Sequence, residues 1–384
     1  MDTLRFAGVY AAFAIWVHVA PAHAQAPAAR PITFDGAEWV TTDPDAKTGT
    51  LLDRDALSIR TGEIWRRDLQ FTDGTIEFDM LARPVRSFLG LMFRVSEENG
   101  RLTYEDIYFR PTSSGEWDAV QYEPVFQGIG GWQLYHGEGF SSPATIPTDR
   151  WIHVRLVVAG DTAVLYLDGD ETPALRVSPL KGKNQTGHVG FWGFFPAGEP
   201  RTLFTANFAN VTITPGRAPV APAPARASNT VVASGLITTW RVAQPVAAAE
   251  GSSGRQERST TTVVAEPSGI VNLSREFPHS VDSPKPKTWA SAAIVSDRAR
   301  RVGLRIGYSD RIRVLLNDES LFDGKNVFHL RYPPSLGLVR LGDQVVYLPL
   351  RPGTNELVLE IEETEDFGWG FIAEITSIDG LVVR

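Results

Sequence analysis

Short segments in which apolar and polar residues alternate recur along most of this chain, and no stretch sustains a helical period. A period of two sends successive side chains to opposite faces of a strand, so each such segment is expected to bury one face. In residues 75–80, Ile76, Phe78 and Met80 alternate with Thr75, Glu77 and Asp79. In residues 151–158, Ile152, Val154, Leu156 and Val158 form one face and Trp151, His153 and Arg155 the other. Residues 88–95 are almost continuously apolar, which predicts a strand covered on both faces. A further strand, 163–167, runs into Asp168-Gly169, a pair suited to a tight turn because glycine tolerates positive φ. Strands over 187–195 and 206–213 follow, and turn signals at a spacing of about 8–12 residues imply a β-sandwich.

The second half has the same style without the same sequence. Val302, Leu304 and Ile306 alternate with Arg301 and Arg305, and Ile312, Val314 and Leu316 with Arg311 and Arg313. Residues 348–361 read as strand, Pro-Gly turn and strand, and 369–375 as a last long strand with Trp369 and Phe371 in the core. Between the halves, residues 215–229 (PGRAPVAPAPARASN) have no apolar period and read as an extended linker. The polar segment 250–262 reads as a mobile loop. The expectation is an all-β protein with one β-sandwich over 32–214 and another over 230–384.

No cysteine is present, which excludes disulfides, thiolate metal sites and a cysteine nucleophile. Stability must therefore come from apolar cores. Units of this size bury roughly 70% of the surface of the unfolded chain, which is enough for that purpose. A net charge of −8 argues against nucleic acid or an anionic membrane as the main partner. At the N-terminus, Arg5 precedes an apolar run over residues 6–19, and Ala22-His23-Ala24 has the small-x-small pattern of a cleavage site. That run is shorter than the roughly 20 residues a membrane span requires. Residues 1–24 are expected to be a signal peptide and the mature protein to be periplasmic or secreted, with no transmembrane segment after cleavage.

Chemistry concentrates in residues 104–135. This window carries Glu105, Asp106, Arg110, Glu116, Asp118, Gln121, Tyr122, Trp132 and Tyr135 within strand-type sequence. Carboxylates, an arginine, amides and flat rings are what a sugar needs: polar partners for hydroxyls and an apolar surface for the ring face. On a strand over 106–110, Asp106, Tyr108 and Arg110 share a face, and Ile107 and Phe109 share the other. An internal Asp–Arg pair covered by Tyr108 accounts for the trio equally well. Trp132, Gln133, Tyr135 and His136 follow a glycine-rich turn and are expected at a sheet rim, with core packing the alternative for Trp132. The outward Arg301, Arg305, Arg311 and Arg313 read as a solvated strand face.

The segments IYFRP (107–111), DAVQY (118–122), PVF (124–126), WQLYHG (132–137), WIHV (151–154) and GHVG (187–190) together resemble the concanavalin A-like lectin/glucanase superfamily, especially its laminin-G-like and 3-keto-disaccharide hydrolase-like members. The resemblance implies a two-sheet jelly roll whose face or rim meets glycan. VLLN (314–317), LFDG (321–324) and PGTN (352–355) are similar to segments of galactose-binding-like β-sandwiches, so the second half is expected to be another jelly roll. Glucanases on the first fold use E-x-D-x-(x)-E, with carboxylates about 5–5.5 Å apart for retaining hydrolysis. Here Glu116 and Asp118 are followed by Gln121, which cannot transfer a proton; Glu123 lies two residues further on.

No H-x-x-x-H, EF-hand or G-x-S-x-G spacing occurs, so no metal ligand and no nucleophile elbow is assigned. Sandwiches of the resembled type often hold a structural calcium ion at a loop rim, where Asp161, Asp168 or Asp170 could contribute; carboxylates in such loops usually only solvate a turn. No other cofactor is expected. The reading favoured is an exported carbohydrate-recognition protein that binds a glycan or polysaccharide through Asp106, Tyr108, Arg110, Asp118, Gln121, Tyr122, Trp132, Tyr135 and His136. The alternative is an enzyme acting on glycosides or 3-keto-glycosides through Glu105, Asp106, Asp118 or His136. A third reading, a structural or protein-binding module, has no positive feature beyond the linker and the second sandwich.

Overall fold

The computed structural model describes residues 29–195, 204–217, 235–248, 258–329 and 335–384. The expected signal segment and the greater part of the expected linker, 218–229, lie outside the described residues. Within them the chain is all-β, arranged as four antiparallel sheets with a single short helix, Leu273–Glu276. No described helix is long and apolar enough to cross a membrane.

The alternating segments form strands because each can bury one face. Ile76, Phe78 and Met80 are fully buried, as are Ile152, Val154, Leu156 and Val158 on the strand paired with theirs. These strands lie in a seven-stranded sheet in the order Leu175–Val177, Thr162–Leu167, Trp151–Ala159, Gly74–Leu81, Ala206–Pro215, Arg54–Ile59 and Lys47–Leu51. It packs on a nine-stranded sheet that runs Arg30–Phe34, Ala37–Thr41, Gly62–Phe71, Gly187–Phe194, Phe88–Glu98, Arg101–Phe109, Val120–Phe126 and Ile129–Gly130. Ser141–Ser142 is attached beside Val120–Phe126. Phe78, Phe191 and Phe208 meet at the centre with ring centroids 4.4–5.8 Å apart. Burying each ring stabilises the fold by about 1.5–3 kcal/mol.

A second sandwich has an eight-stranded sheet centred on Pro286–Ser296 and Gly353–Glu362, packed on a four-stranded sheet of Val271–Asn272, Gly370–Ile375, Arg300–Ser309 and Gln344–Leu350. Trp240 and Phe371 meet edge to face at 5.0 Å in its core, and Trp369 is buried there too. The strands either side of the Pro352-Gly353 turn lie in different sheets, so this turn is a corner between layers. Of the segment expected to be a loop, residues 260–262 belong instead to a strand, Thr260–Val264, paired with Thr239–Ala243. The arginines of the outer faces are partnered: Arg305 with Glu374, Arg311 with Asp323, Arg313 with Glu360, and Arg301 over the Tyr347 ring.

Candidate functional site

In the nine-stranded sheet, Ile107 and Phe109 point into the core between the sheets, so Asp106 and Tyr108 point to the opposite, outer face. Residues directly opposite on neighbouring strands share a face, which makes this surface legible row by row. One row is Val40, Trp65, Gly190, Met92, Asp106 and Glu123. The next is Glu63, Trp192, Gly90, Tyr108 and Gln121. Phe194 and Phe88 pair beyond it.

Four rings form a continuous run on this face. Phe194 and Phe88 have centroids 5.9 Å apart, Phe88 and Tyr108 6.0 Å, and Tyr108 and Trp192 5.8 Å. Phe194 is 43% exposed, and Phe88 and Trp192 are half-buried. Trp192 lies over Gly90: a Cβ there would run into the indole, so only glycine leaves this space. Trp192 Nε1 donates to Asp106 Oδ1 at 2.9 Å. The other oxygen, Asp106 Oδ2, is buried and has no hydrogen-bond partner among the described residues.

Glu123 stands directly across from Asp106. Its Oε2 accepts from the Trp132 backbone N–H at 2.9 Å, and Gly130 packs so closely against this carboxylate that a side chain there would collide with it. Burial raises the Glu123 pKa to about 7, against the lowering effect of the Trp132 and Gly131 N–H groups. Burial also pushes Asp106 well above the usual carboxylate range, and the neighbouring Glu123 charge adds to this. Both carboxyls are thus pushed toward the protonated form. Tyr104 and Tyr108, raised mainly by burial, stay phenols.

The other residues expected to line the site go elsewhere. Arg110 pairs with Asp118 and not with Asp106, so the internal pair considered for the trio does not form; its guanidinium also sits 5.7 Å from the Phe88 ring centroid, beside the aromatic run. Gln121 is on the outer face but fully buried, and its Nε2 donates to Tyr135 O at 3.3 Å. Tyr122 faces inward, a correction to its expected contact with sugar. Its Oη donates to Glu105 Oε2 at 2.5 Å and accepts from Lys181 N at 2.6 Å. Glu105, with its pKa raised to about 7 by burial, lies on the same inner face as Tyr122. Glu116 and Asp118 lie in the loop after the short 3-10 turn Pro111–Ser113, not on a strand, so the glucanase-like motif has no strand to carry it.

Trp132, Tyr135 and His136 also require correction, because they form a tongue docked on the second sandwich. Trp132 packs against Phe328 and Phe367 at 5.9 and 5.6 Å. Gln133 accepts from Ser309 Oγ at 2.5 Å and donates to Glu365 at 3.2 Å. His136 Nε2 lies 3.1 Å from Val339 O. Tyr135 Oη donates to Glu266 Oε1 at 2.5 Å and accepts from Asn272 Nδ2 at 3.1 Å. Lys181 and Arg275 complete the shell of Glu266 at 2.5 and 2.8 Å. Nothing local in the sequence announces the contacts of the tongue, whose partners in the second sandwich lie more than a hundred residues from it.

Sequence reasoning did not assign Trp192, Phe88, Phe194 or Glu63 to a site, and weighed Glu123 only as a shifted motif member. A signal for the first was available: residues 191–194 carry aromatic residues on both faces of one strand, more than a single core consumes. Of the carboxylates considered for calcium, Asp168 pairs with Arg150, and Asp161 and Asp170 lie in turns.

No family profile matches the chain, and no curated protein sequence matches it. Among solved structures it is similar to the carbohydrate binding module CBM66 from Bacillus subtilis, with 16% identity and a TM-score of 0.34, over 46% of this chain and 94% of that one. It is similar to a Bacillus licheniformis beta-glucanase at 12% identity and a TM-score of 0.34, over 50% of this chain and all of that one. A Bacillus subtilis protein of unknown function with a galectin-like fold gives 12% identity and a TM-score of 0.33, over 46% and 88%. At these values the likenesses carry no functional argument. The fold and the site define an all-β protein of paired antiparallel sheets, with an aromatic and acidic outer face on the first sandwich.

Proposed function

We propose that this is an exported carbohydrate-recognition protein that holds a glycan on the outer face of its nine-stranded sheet. The observation that carries the reading is the run Phe194–Phe88–Tyr108–Trp192 ending beside the unpartnered Asp106 Oδ2. Sugars have apolar C–H faces that lie on aromatic rings and hydroxyls that need directed partners. Arg110 at one end, and Asp106 and Glu123 at the other, supply those partners. A buried polar oxygen with no partner costs about 1–3 kcal/mol, which a hydrogen bond with a ligand hydroxyl would recover. Export is the reading of residues 1–24.

The test is a binding screen of the chain against oligosaccharide and polysaccharide panels, repeated with Asp106→Asn and Tyr108→Ala. A glycan bound by the wild type and lost or weakened at least about tenfold in these variants supports the proposal, a factor equivalent to ~1.4 kcal/mol. Absence of binding across the panels, or binding indifferent to both substitutions, refutes it.

One observation favours a second reading, chemistry on the bound sugar. Asp106 and Glu123 are adjacent carboxyls with elevated pKa values, the property of a general acid working near neutrality. Turnover of glycoside or 3-keto-glycoside substrates, abolished by Glu123→Gln, would establish it. Binding without turnover keeps the protein a recognition module.

A further inference from the structure

Where the second sandwich grips the tongue, three side chains from distant parts of the chain converge. They are His279, Glu363 and Asp366, whose ligand-capable atoms all lie within 4.8 Å of one another. His279 follows the short helix; Glu363 and Asp366 follow strand Gly353–Glu362. Glu363 is fully buried; its Oε2 is in close contact with His279 Nε2, while Oε1 has no hydrogen-bond partner among the described residues. Asp366 Oδ1 is likewise buried and unpartnered among the described residues.

The imidazole is oriented. Its Nδ1 is directed at Phe277 O, 3.4 Å away, which favours the tautomer with the proton on Nδ1 and turns the Nε2 lone pair toward the two carboxylates. A lone pair facing two carboxylates is repulsive unless a cation lies between them: a proton on Nε2 or a metal ion. Lys285 engages Asp366 Oδ2, and Oδ1 is left over. A single proton on Nε2 satisfies one carboxylate oxygen and leaves the others bare in a buried site. A divalent ion engages all of them at once.

We propose that His279 Nε2, the Glu363 carboxylate and Asp366 Oδ1 form a site for a first-row divalent metal ion of the zinc type. One imidazole with carboxylates suits such an ion better than calcium, which takes oxygen ligands alone. The ion joins the segment after Phe277 to the loop that carries Glu365 and Phe367. That loop holds Gln133 through Glu365 and through the Phe367 carbonyl, which accepts from Gln133 N at 3.1 Å. Its role is therefore a clamp on the tongue, set apart from the outer-face site.

Calorimetric titration of the EDTA-treated full chain with Zn²⁺ tests this. One ion per chain is expected, with a higher thermal midpoint, and His279→Gln and Glu363→Gln should each weaken binding roughly tenfold or more. No binding, or affinity unchanged in both variants, overturns the proposal and leaves a plain histidine–carboxylate ion pair. Should the variants fail to fold, wild-type crystals soaked in Zn²⁺ decide the matter by anomalous scattering: a peak among the three side chains supports the site, and peaks only elsewhere refute it.

Discussion

Asp106 and Glu123 face each other across neighbouring antiparallel strands, Arg101–Phe109 and Val120–Phe126, on the side of the sheet away from the core. Each is held by a different neighbour, Asp106 by the Trp192 indole and Glu123 by the Trp132 backbone N–H. The aromatic run and the acidic pair are thereby joined in one place.

The pair gives the protein a pH dependence of definite sign. A carboxyl whose folded pKa exceeds its unfolded value makes folding take up a proton. The Glu123 contribution is therefore full below about 4.5 and is lost as pH rises through about 7. Glu123→Gln keeps the acceptor for Trp132 N–H but removes the titration. Urea titrations at several pH values should show the variant gaining on the wild type between pH 5 and 8, by on the order of 2–3 kcal/mol at the top of that range. A constant difference across the range contradicts the assignment.

Gly90→Ala should displace Trp192, because the added methyl occupies the space of the indole. Overpacking of this kind typically costs 1–3 kcal/mol. The expected result is a lower denaturation midpoint, a changed near-ultraviolet dichroism signal and weaker glycan binding. An unperturbed tryptophan signal would show that the ring does not rest there.

Glu266 is the hub between the sandwiches. Replacing it with alanine leaves Lys181 uncompensated in a buried seam and Arg275 with Glu276 alone, and breaking such a cluster costs about 3–5 kcal/mol. Tyr135→Phe removes one hydrogen bond to a charged group, worth about 1.5–3 kcal/mol. Denaturant unfolding should rank the two in that order, and equal effects would mean that the charges contribute nothing beyond the phenol contact.

How much of this could be read from the chain depends on whether the cause is local. Ile76, Phe78 and Met80 are buried as their alternation demands, because a strand that packs on one side enforces the period by itself. Asp79, placed outward by the same rule, is nevertheless buried, since Arg54 and Asn210 cover it. Asp106 and Tyr108 sharing a face was legible for the same local reason. Glu123 as the partner of Asp106 was not, because the register between two strands depends on the loop joining them. Tyr135 was misplaced because its partner Glu266 is 131 residues away. His279, Glu363 and Asp366 escaped any spacing rule because only the folded second sandwich brings them together.

The most direct test of the central claim compares Trp192→Ala with Trp132→Ala in titrations against the glycan that the wild type binds. One tryptophan belongs to the outer-face aromatic run, the other to the seam between sandwiches. A loss of affinity of at least about tenfold in Trp192→Ala, with Trp132→Ala binding as the wild type does, is the predicted result, since stacking residues of this kind dominate such contacts. Binding that survives Trp192→Ala but disappears in Trp132→Ala would contradict the account and move the sugar to the seam.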